Sequence, residues 1–139
     1  MMPDTSVGRP AAPRDSRALK GKRGLRRVLN ALRYSADGLR AAWEGEDAFR
    51  QEVLLAAVMI PAALVVPVEL VERLLLIGSV VFVLIIEILN TAIESAIDRQ
   101  GLEINPLAKQ AKDLGSAAVM LSLLLTGATW VSILWARFS

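Results

Sequence analysis

The stretch LLLIGSVVFVLIIEILNTAIESAI, residues 74–97, decides the fold class. It is an apolar run longer than the roughly 20 residues that an α-helix needs to cross a bilayer. Three polar side chains, Glu87, Asn90 and Glu94, interrupt its second half. Their i, i+3, i+7 spacing places them on one stripe of a helix, with the two carboxylates roughly 10 Å apart along its axis. The run therefore predicts a transmembrane helix that carries one polar site.

Two further apolar segments flank this helix. Residues 53–68 contain Pro61 and Pro67, which membrane helices tolerate better than soluble helices do. Residues 117–135 carry no charge and lead into Arg137, a basic residue of the kind found at a membrane interface. The sequence thus predicts an all-α integral membrane protein with three transmembrane helices, over about 50–68, 71–98 and 115–137.

The N-terminal region has a different composition. Residues 1–22 contain three prolines and scattered charges without apolar periodicity, which predicts a disordered basic tail ahead of a membrane domain over residues 23–139. Over about 24–48, apolar residues recur at helical spacing and arginines occupy other faces. This pattern predicts an amphipathic helix on an anionic membrane surface, and a helix packed on a soluble core is the alternative.

Composition restricts the chemistry that the chain can perform. Of its 139 residues 54% are hydrophobic, and none is His or Cys. Disulfides, thiolate or imidazole metal sites and nucleophilic triads built on His are therefore excluded. Any reaction must use carboxylates, amines, amides and hydroxyls.

The basic residues are concentrated at one end of the chain. Eleven of the 16 lysines and arginines precede Val53, and the second connection, about 98–115, contains three more. The positive-inside bias predicts that the N-terminus and this connection are cytoplasmic and that the C-terminus lies outside. Because topology and anionic lipids already account for these charges, nucleic-acid binding is not predicted.

The polar stripe of the second span is the leading candidate for a reactive site. A carboxylate at the depth of Glu87 costs about 2–4 kcal/mol unless it is paired, protonated or metal-bound. Desolvation also makes a carboxylate a stronger base, as a proton acceptor near neutral pH requires. A general base is therefore predicted at Glu87, and a purely structural role is the alternative.

A second acidic group, at residues 44–52, precedes the first span. It is either a charged helix end or part of the same site. If Glu46 meets Glu94, two carboxylates provide the incomplete oxygen shell that Mg²⁺ prefers when phosphates supply further ligands.

The second connection contributes Lys112 and Asp113, followed by Gly115 and Ser116. Lys112 can bind phosphate oxygens as a point charge, and Gly115 permits close backbone approach. The chain has no Walker-type phosphate loop, and Lys109 is interpreted as an ordinary basic anchor of the positive-inside kind.

These elements together resemble the prokaryotic diacylglycerol kinase family. The resemblance extends over about residues 27–138. It is carried by Arg40-Ala41-Ala42-Trp43, EDAFRQE at 46–52, EILNTAIE at 87–94, Asp98-Arg99 and AKDLGSAAV at 111–119.

The resemblance implies a homotrimer of three-span subunits in the bacterial inner membrane, which phosphorylates diacylglycerol with magnesium ATP at sites between neighbouring subunits. It implies that Glu87 accepts the proton of the lipid hydroxyl and that Glu46 and Glu94 bind Mg²⁺. The implied nucleotide contacts are Arg27, Tyr34, Glu46, Glu94, Glu103, Asn105, Lys112 and Asp113. The positions implied to touch the lipid or support the site are Glu52, Arg73, Asn90, Ser116 and Trp130.

One departure and two alternatives qualify this resemblance. Many family members carry Glu-Tyr-His where this chain has Glu103-Ile104-Asn105, so an aromatic ring and an imidazole are missing here. The same superfamily includes undecaprenol kinases, which keeps a second lipid substrate open. A non-catalytic membrane oligomer that uses Glu87 and Glu94 as a carboxylate ring is the alternative from another class of protein.

Overall fold

The computed structural model describes residues 16–99 and 105–139, which form four α-helices and, within those ranges, no strand. The helices are α1 (Ser16–Gly45), α2 (Asp47–Val65), α3 (Leu70–Asp98) and α4 (Pro106–Phe138). Each of α2, α3 and α4 is long and apolar enough to cross a membrane. The predicted all-α membrane fold with three spans is confirmed.

The chain divides into two compact units, one ending at Gly38 and one beginning at Leu39. In the first unit the described part is the helical segment 16–38, all of it within α1. Its basic and apolar side chains from Lys20 onward are exposed, including Leu25 and Leu29. In the second unit, α3 packs against both α2 and α4.

Two helix boundaries differ from those predicted. Helix α1 begins at Ser16, whereas the sequence predicted a start near residue 24. No proline lies between Pro13 and the end of α1 at Gly45, so no residue of this kind breaks the helix. Residues 1–15 of the predicted tail lie outside the described residues. Helix α4 begins at Pro106, so Lys109, Lys112 and Asp113 are helical rather than part of a connection.

The early start of α4 has a clear local cause. Asn105 is the N-cap residue, and its side-chain oxygen accepts a hydrogen bond from the backbone N–H of Leu107 at 2.9 Å. Pro106 follows in the first turn, where its missing N–H costs nothing. Asn105 thus stabilises a helix end.

The α2–α3 connection is closed by Arg73. The guanidinium group donates hydrogen bonds to the carbonyl oxygens of Ala63 (2.7 Å), Leu64 (2.6 Å) and Val68 (3.1 Å). The last carbonyls of a helix have no intrahelical partner, and a cation there also opposes the negative end of the helix dipole. Arg73 lies in the first turn of α3 and reaches back to cap α2, which joins the two spans at this end.

Helices α3 and α4 are held together by polar side chains that bond to backbone carbonyls. The indole N–H of Trp130 donates to the carbonyl oxygen of Leu76 at 3.1 Å. The buried hydroxyl of Thr126 lies 3.0 Å from the Ser79 carbonyl oxygen and 2.9 Å from that of Ser122. Such bonds join helices where apolar side chains gain nothing by leaving lipid for protein.

We expect Arg73→Met to destabilise the second unit by about 1–3 kcal/mol, because the carbonyl oxygens at the end of α2 lose the charge-assisted hydrogen bonds of the guanidinium group while the apolar stem is retained. Denaturant unfolding in detergent micelles, followed by circular dichroism, measures this change. Arg137→Met at the end of α4 is the matched control and should leave the midpoint unchanged. Equal midpoints for both variants would contradict the capping role.

Candidate active site

Four carboxylates converge at one end of the second unit. Glu46 and Glu52 come from the α2 side, and Glu87 and Glu94 come from α3. They line one cavity of about 390 Å³. Its other lining residues are Ala48, Asn90, Ser116, Val119 and Leu123. No basic side chain lines this cavity within the described ranges, so its walls favour a cation.

The polar stripe of α3 faces this cavity. Glu87 is only 4% exposed and Asn90 is 8% exposed, although most of α3 is apolar. The Asn90 amide donates to a carboxylate oxygen of Glu94 at 3.4 Å. Glu87, Asn90 and Glu94 therefore line one cavity, and their role in a functional site stays a prediction.

Glu52 lies opposite Glu87. Both side chains line the cavity, Glu52 from α2 and Glu87 from α3. The Oε2 atom of Glu52 is buried and has no hydrogen-bond partner among the described residues. A buried polar atom without a partner is costly, so a hydrogen-bond donor from a ligand would relieve that cost.

Gly115 allows α4 to approach the same cluster. A Cβ atom at this position would collide with the side-chain oxygen of Asn90. Gly115 is also buried. The absence of a side chain at Gly115 therefore leaves room for the Asn90 side chain, and the close approach to phosphate stays a prediction.

Glu46 occupies the break between α1 and α2. Its backbone is extended, and its side chain makes no capping hydrogen bond. The carboxylate of Glu46 is thus available to a ligand in the cavity. Among the described residues, no cluster of three or more carboxylate or other metal-binding side chains is close enough to hold a metal ion by itself. A pair of hard oxygen donors that leaves positions open suits Mg²⁺ bound together with phosphates.

Lys112 is half-buried and Asp113 is exposed on the first turns of α4, and neither lines the cavity. The Lys112 ammonium bonds to Asp98 at the end of α3 at 2.5 Å, and Lys109 bonds to Asp113 at 2.6 Å. Lys112 is therefore already paired with a carboxylate in this structure.

The remaining predicted residues lie apart from this cavity or outside the described structure. Arg73 and Trp130 bond to backbone carbonyls and hold helices together. Asn105 caps α4, and Glu103 lies outside the described residues. Arg27 and Tyr34 are exposed on α1 in the first unit.

Three apolar lining residues were not predicted from the sequence: Ala48, Val119 and Leu123. Val119 and Leu123 follow Ser116 at i+3 and i+7, so they share one face of α4 with it. That spacing is the signal from which they could have been found.

Comparison with known proteins identifies similar chains. The family model described as prokaryotic diacylglycerol kinase matches residues 33–134. The chain is 50% identical over 115 residues to a diacylglycerol kinase of Pseudomonas aeruginosa, covering 83% of this chain and 94% of that protein. It is 45% identical over 115 residues to a diacylglycerol kinase of Escherichia coli K12, with the same coverages of 83% and 94%. A diacylglycerol kinase of Haemophilus influenzae is 40% identical over 112 residues, covering 81% of this chain and 95% of that protein.

We expect Gly115→Ala to lower stability by about 1–3 kcal/mol, since the added methyl group collides with Asn90. Gly127→Ala on the same helix is the matched control, because a Cβ there meets nothing within 4 Å. That control should be neutral or stabilising by up to about 1 kcal/mol through helix propensity.

Thermal unfolding in micelles measures both changes. In the double variant Gly115→Ala/Asn90→Ala, the loss at Gly115 should largely disappear because its collision partner is gone. Full additivity of the two substitutions would contradict the proposed contact.

Proposed function

The chain belongs to the prokaryotic diacylglycerol kinase family, and on that basis we propose that it transfers the γ-phosphoryl group of ATP to the free hydroxyl of diacylglycerol at the cytoplasmic face of the bacterial inner membrane. The observation that carries this proposal is the convergence of Glu46, Glu87 and Glu94 on one cavity within a three-span membrane domain. A lipid alcohol can enter such a cavity from the side, while the nucleotide reaches it from water.

Glu46 and Glu94 are the proposed ligands of Mg²⁺. Both line the cavity, and both carry hard oxygen donors without a basic neighbour in its wall. When bound, the ion would neutralise phosphate charge and orient the nucleotide. Asn90 donates to Glu94 and so fixes the direction in which that carboxylate presents its oxygens.

Glu87 is the proposed general base. Its buried carboxylate accepts the proton of the lipid hydroxyl as that oxygen attacks the γ-phosphorus. The bond from the γ-phosphorus to the bridging oxygen breaks in line, which gives a phosphomonoester lipid and ADP. Such a transfer requires positioning and electrostatic stabilisation, and no phosphoenzyme forms.

The nucleotide contacts are proposed from the family resemblance. Lys112 would leave Asp98 to bind phosphate oxygens, and Asp113 would contact the nucleotide beside it. Further contacts are proposed for Arg27 and Tyr34 of α1 and for the segment containing Glu103 and Asn105. The Asn105 side chain serves the α4 cap, so we propose that its contribution comes through the backbone.

The proposed lipid-side residues are Glu52 and Ser116, which line the cavity. Arg73 and Trp130 would support the site indirectly by fixing α2 and α4 against α3. We further propose a homotrimer, on the family resemblance alone. The charge distribution along the chain supports cytoplasmic N-termini, and the exposed apolar residues of α1 support a membrane-surface role for that helix.

We expect Glu87→Gln to fold and bind ATP but to lose turnover by roughly 10²–10⁴-fold, since the amide preserves shape and cannot accept the proton. Glu72→Gln in the first turn of α3 is the control and should retain activity. Lipid phosphorylation and titration with a fluorescent ATP analogue measure the two properties separately. Normal turnover of Glu87→Gln would remove the general base from the proposal.

The lipid substrate is tested by competition. We expect labelled magnesium ATP to phosphorylate diacylglycerol in preference to undecaprenol when both are offered in mixed micelles, with Glu87→Gln as the background. Preferential labelling of undecaprenol would keep the reaction and change the substrate. Labelling of neither lipid would favour a non-catalytic membrane oligomer.

A further inference from the structure

We infer that a second, apolar cavity beside the carboxylate site holds the ester-proximal part of the lipid's acyl chain, and that Ala56 and Val80 determine which chains fit. This inference rests on the proposed function. It assigns a specificity role to two residues that do not line the carboxylate cavity.

The second cavity has a volume of about 50 Å³ and lies between α2, α3 and α4. It adjoins the active-site cavity, because Glu52 and Leu123 line both cavities. The walls that it does not share are largely apolar: Leu55, Ala56, Met59, Val80, Val83 and Leu84. Ala56, Val80 and Val83 are each 5% exposed.

The position of this cavity along the helices suits a lipid anchored at Glu87. Val83 and Val80 precede Glu87 by one and two helical turns, about 6 and 10 Å along the axis of α3. Ala56 and Met59 follow Glu52 by the same steps along α2. Both helices thus lead from the carboxylates toward the end that Arg73 closes.

The chemistry of the walls fits an acyl chain and not a polar ligand. Thr126 contributes the one hydroxyl in the described lining, and that hydroxyl is already engaged with the carbonyl oxygens of Ser79 and Ser122. The unpartnered Oε2 of Glu52 stands between the two cavities. A lipid whose hydroxyl meets these carboxylates places its ester and first methylene groups a few bonds away, against Ala56 and Val80.

The size of the cavity indicates which part of the lipid it recognises. A volume of about 50 Å³ accommodates about two water-sized groups. It therefore contacts the start of one chain and leaves the rest in the bilayer. Discrimination should concern branching next to the ester rather than total chain length.

The test compares diacylglycerols with straight chains and with methyl branches on the carbon next to the ester carbonyl. Ala56→Val narrows the cavity and Val80→Ala widens it. The measurement is the ratio of kcat/KM for branched over straight substrate, which does not depend on how much enzyme is folded. We expect Ala56→Val to lower this ratio by about tenfold and Val80→Ala to raise it. The substrates differ by one methyl branch, and accepting or rejecting one such group in an apolar pocket changes kcat/KM by about that factor.

Matched controls lie one residue along each helix, on exposed faces. Ala57→Val and Val81→Ala make the same chemical changes outside the cavity and should leave the ratio unchanged. If Ala56→Val and Val80→Ala alter thermal unfolding while the ratio stays that of the unaltered enzyme, the cavity is a packing feature and the inference is wrong. If the unaltered protein phosphorylates neither substrate, the proposed function itself is wrong.

Discussion

The burial of Glu87 in an apolar transmembrane helix is the constraint on which the rest of the structure depends. A carboxylate at that depth is costly, and the other carboxylates of the cavity, Glu46, Glu52 and Glu94, add like charge beside it. A bound cation or proton is needed to offset this charge. The acidic side chains come from the α2 side and from α3 itself, and Gly115 leaves room for Asn90 beside α4. The site is thus assembled around one energetically unfavourable residue.

Helix α3 is the element against which the other two spans are positioned. At one end, Arg73 caps α2, and Trp130 and Thr126 of α4 bond to carbonyl oxygens of α3. These contacts leave the opposite end free for the carboxylate cavity. Because they involve backbone carbonyls, they fix the register of the helices without relying on large apolar side chains, which in lipid provide little preference for protein over bilayer.

Much of this architecture could be predicted from the sequence because hydropathy and helical spacing are local signals. Three spans and the shared face of Glu87, Asn90 and Glu94 followed directly from such patterns. The start of α4 did not, because a single cap at Asn105 and Pro106 extends the helix through residues whose charges suggested a connection. The role of Arg73 was also hidden, since its carbonyl partners carry no side-chain signal. Cavities are the least predictable feature, because they depend on the volume left between three helices.

The length of α4 couples the bilayer to the water-facing end of the site. Its 33 residues extend about 50 Å, whereas the hydrocarbon core is about 30 Å thick. The first turns, with Lys112, therefore form a rigid extension of a membrane-embedded rod. A helix of this kind responds to bilayer thickness by changing its tilt, and a small change in angle sweeps its far end through a larger arc. The thickness of the bilayer would thereby alter the position of Lys112, the residue proposed to bind phosphate.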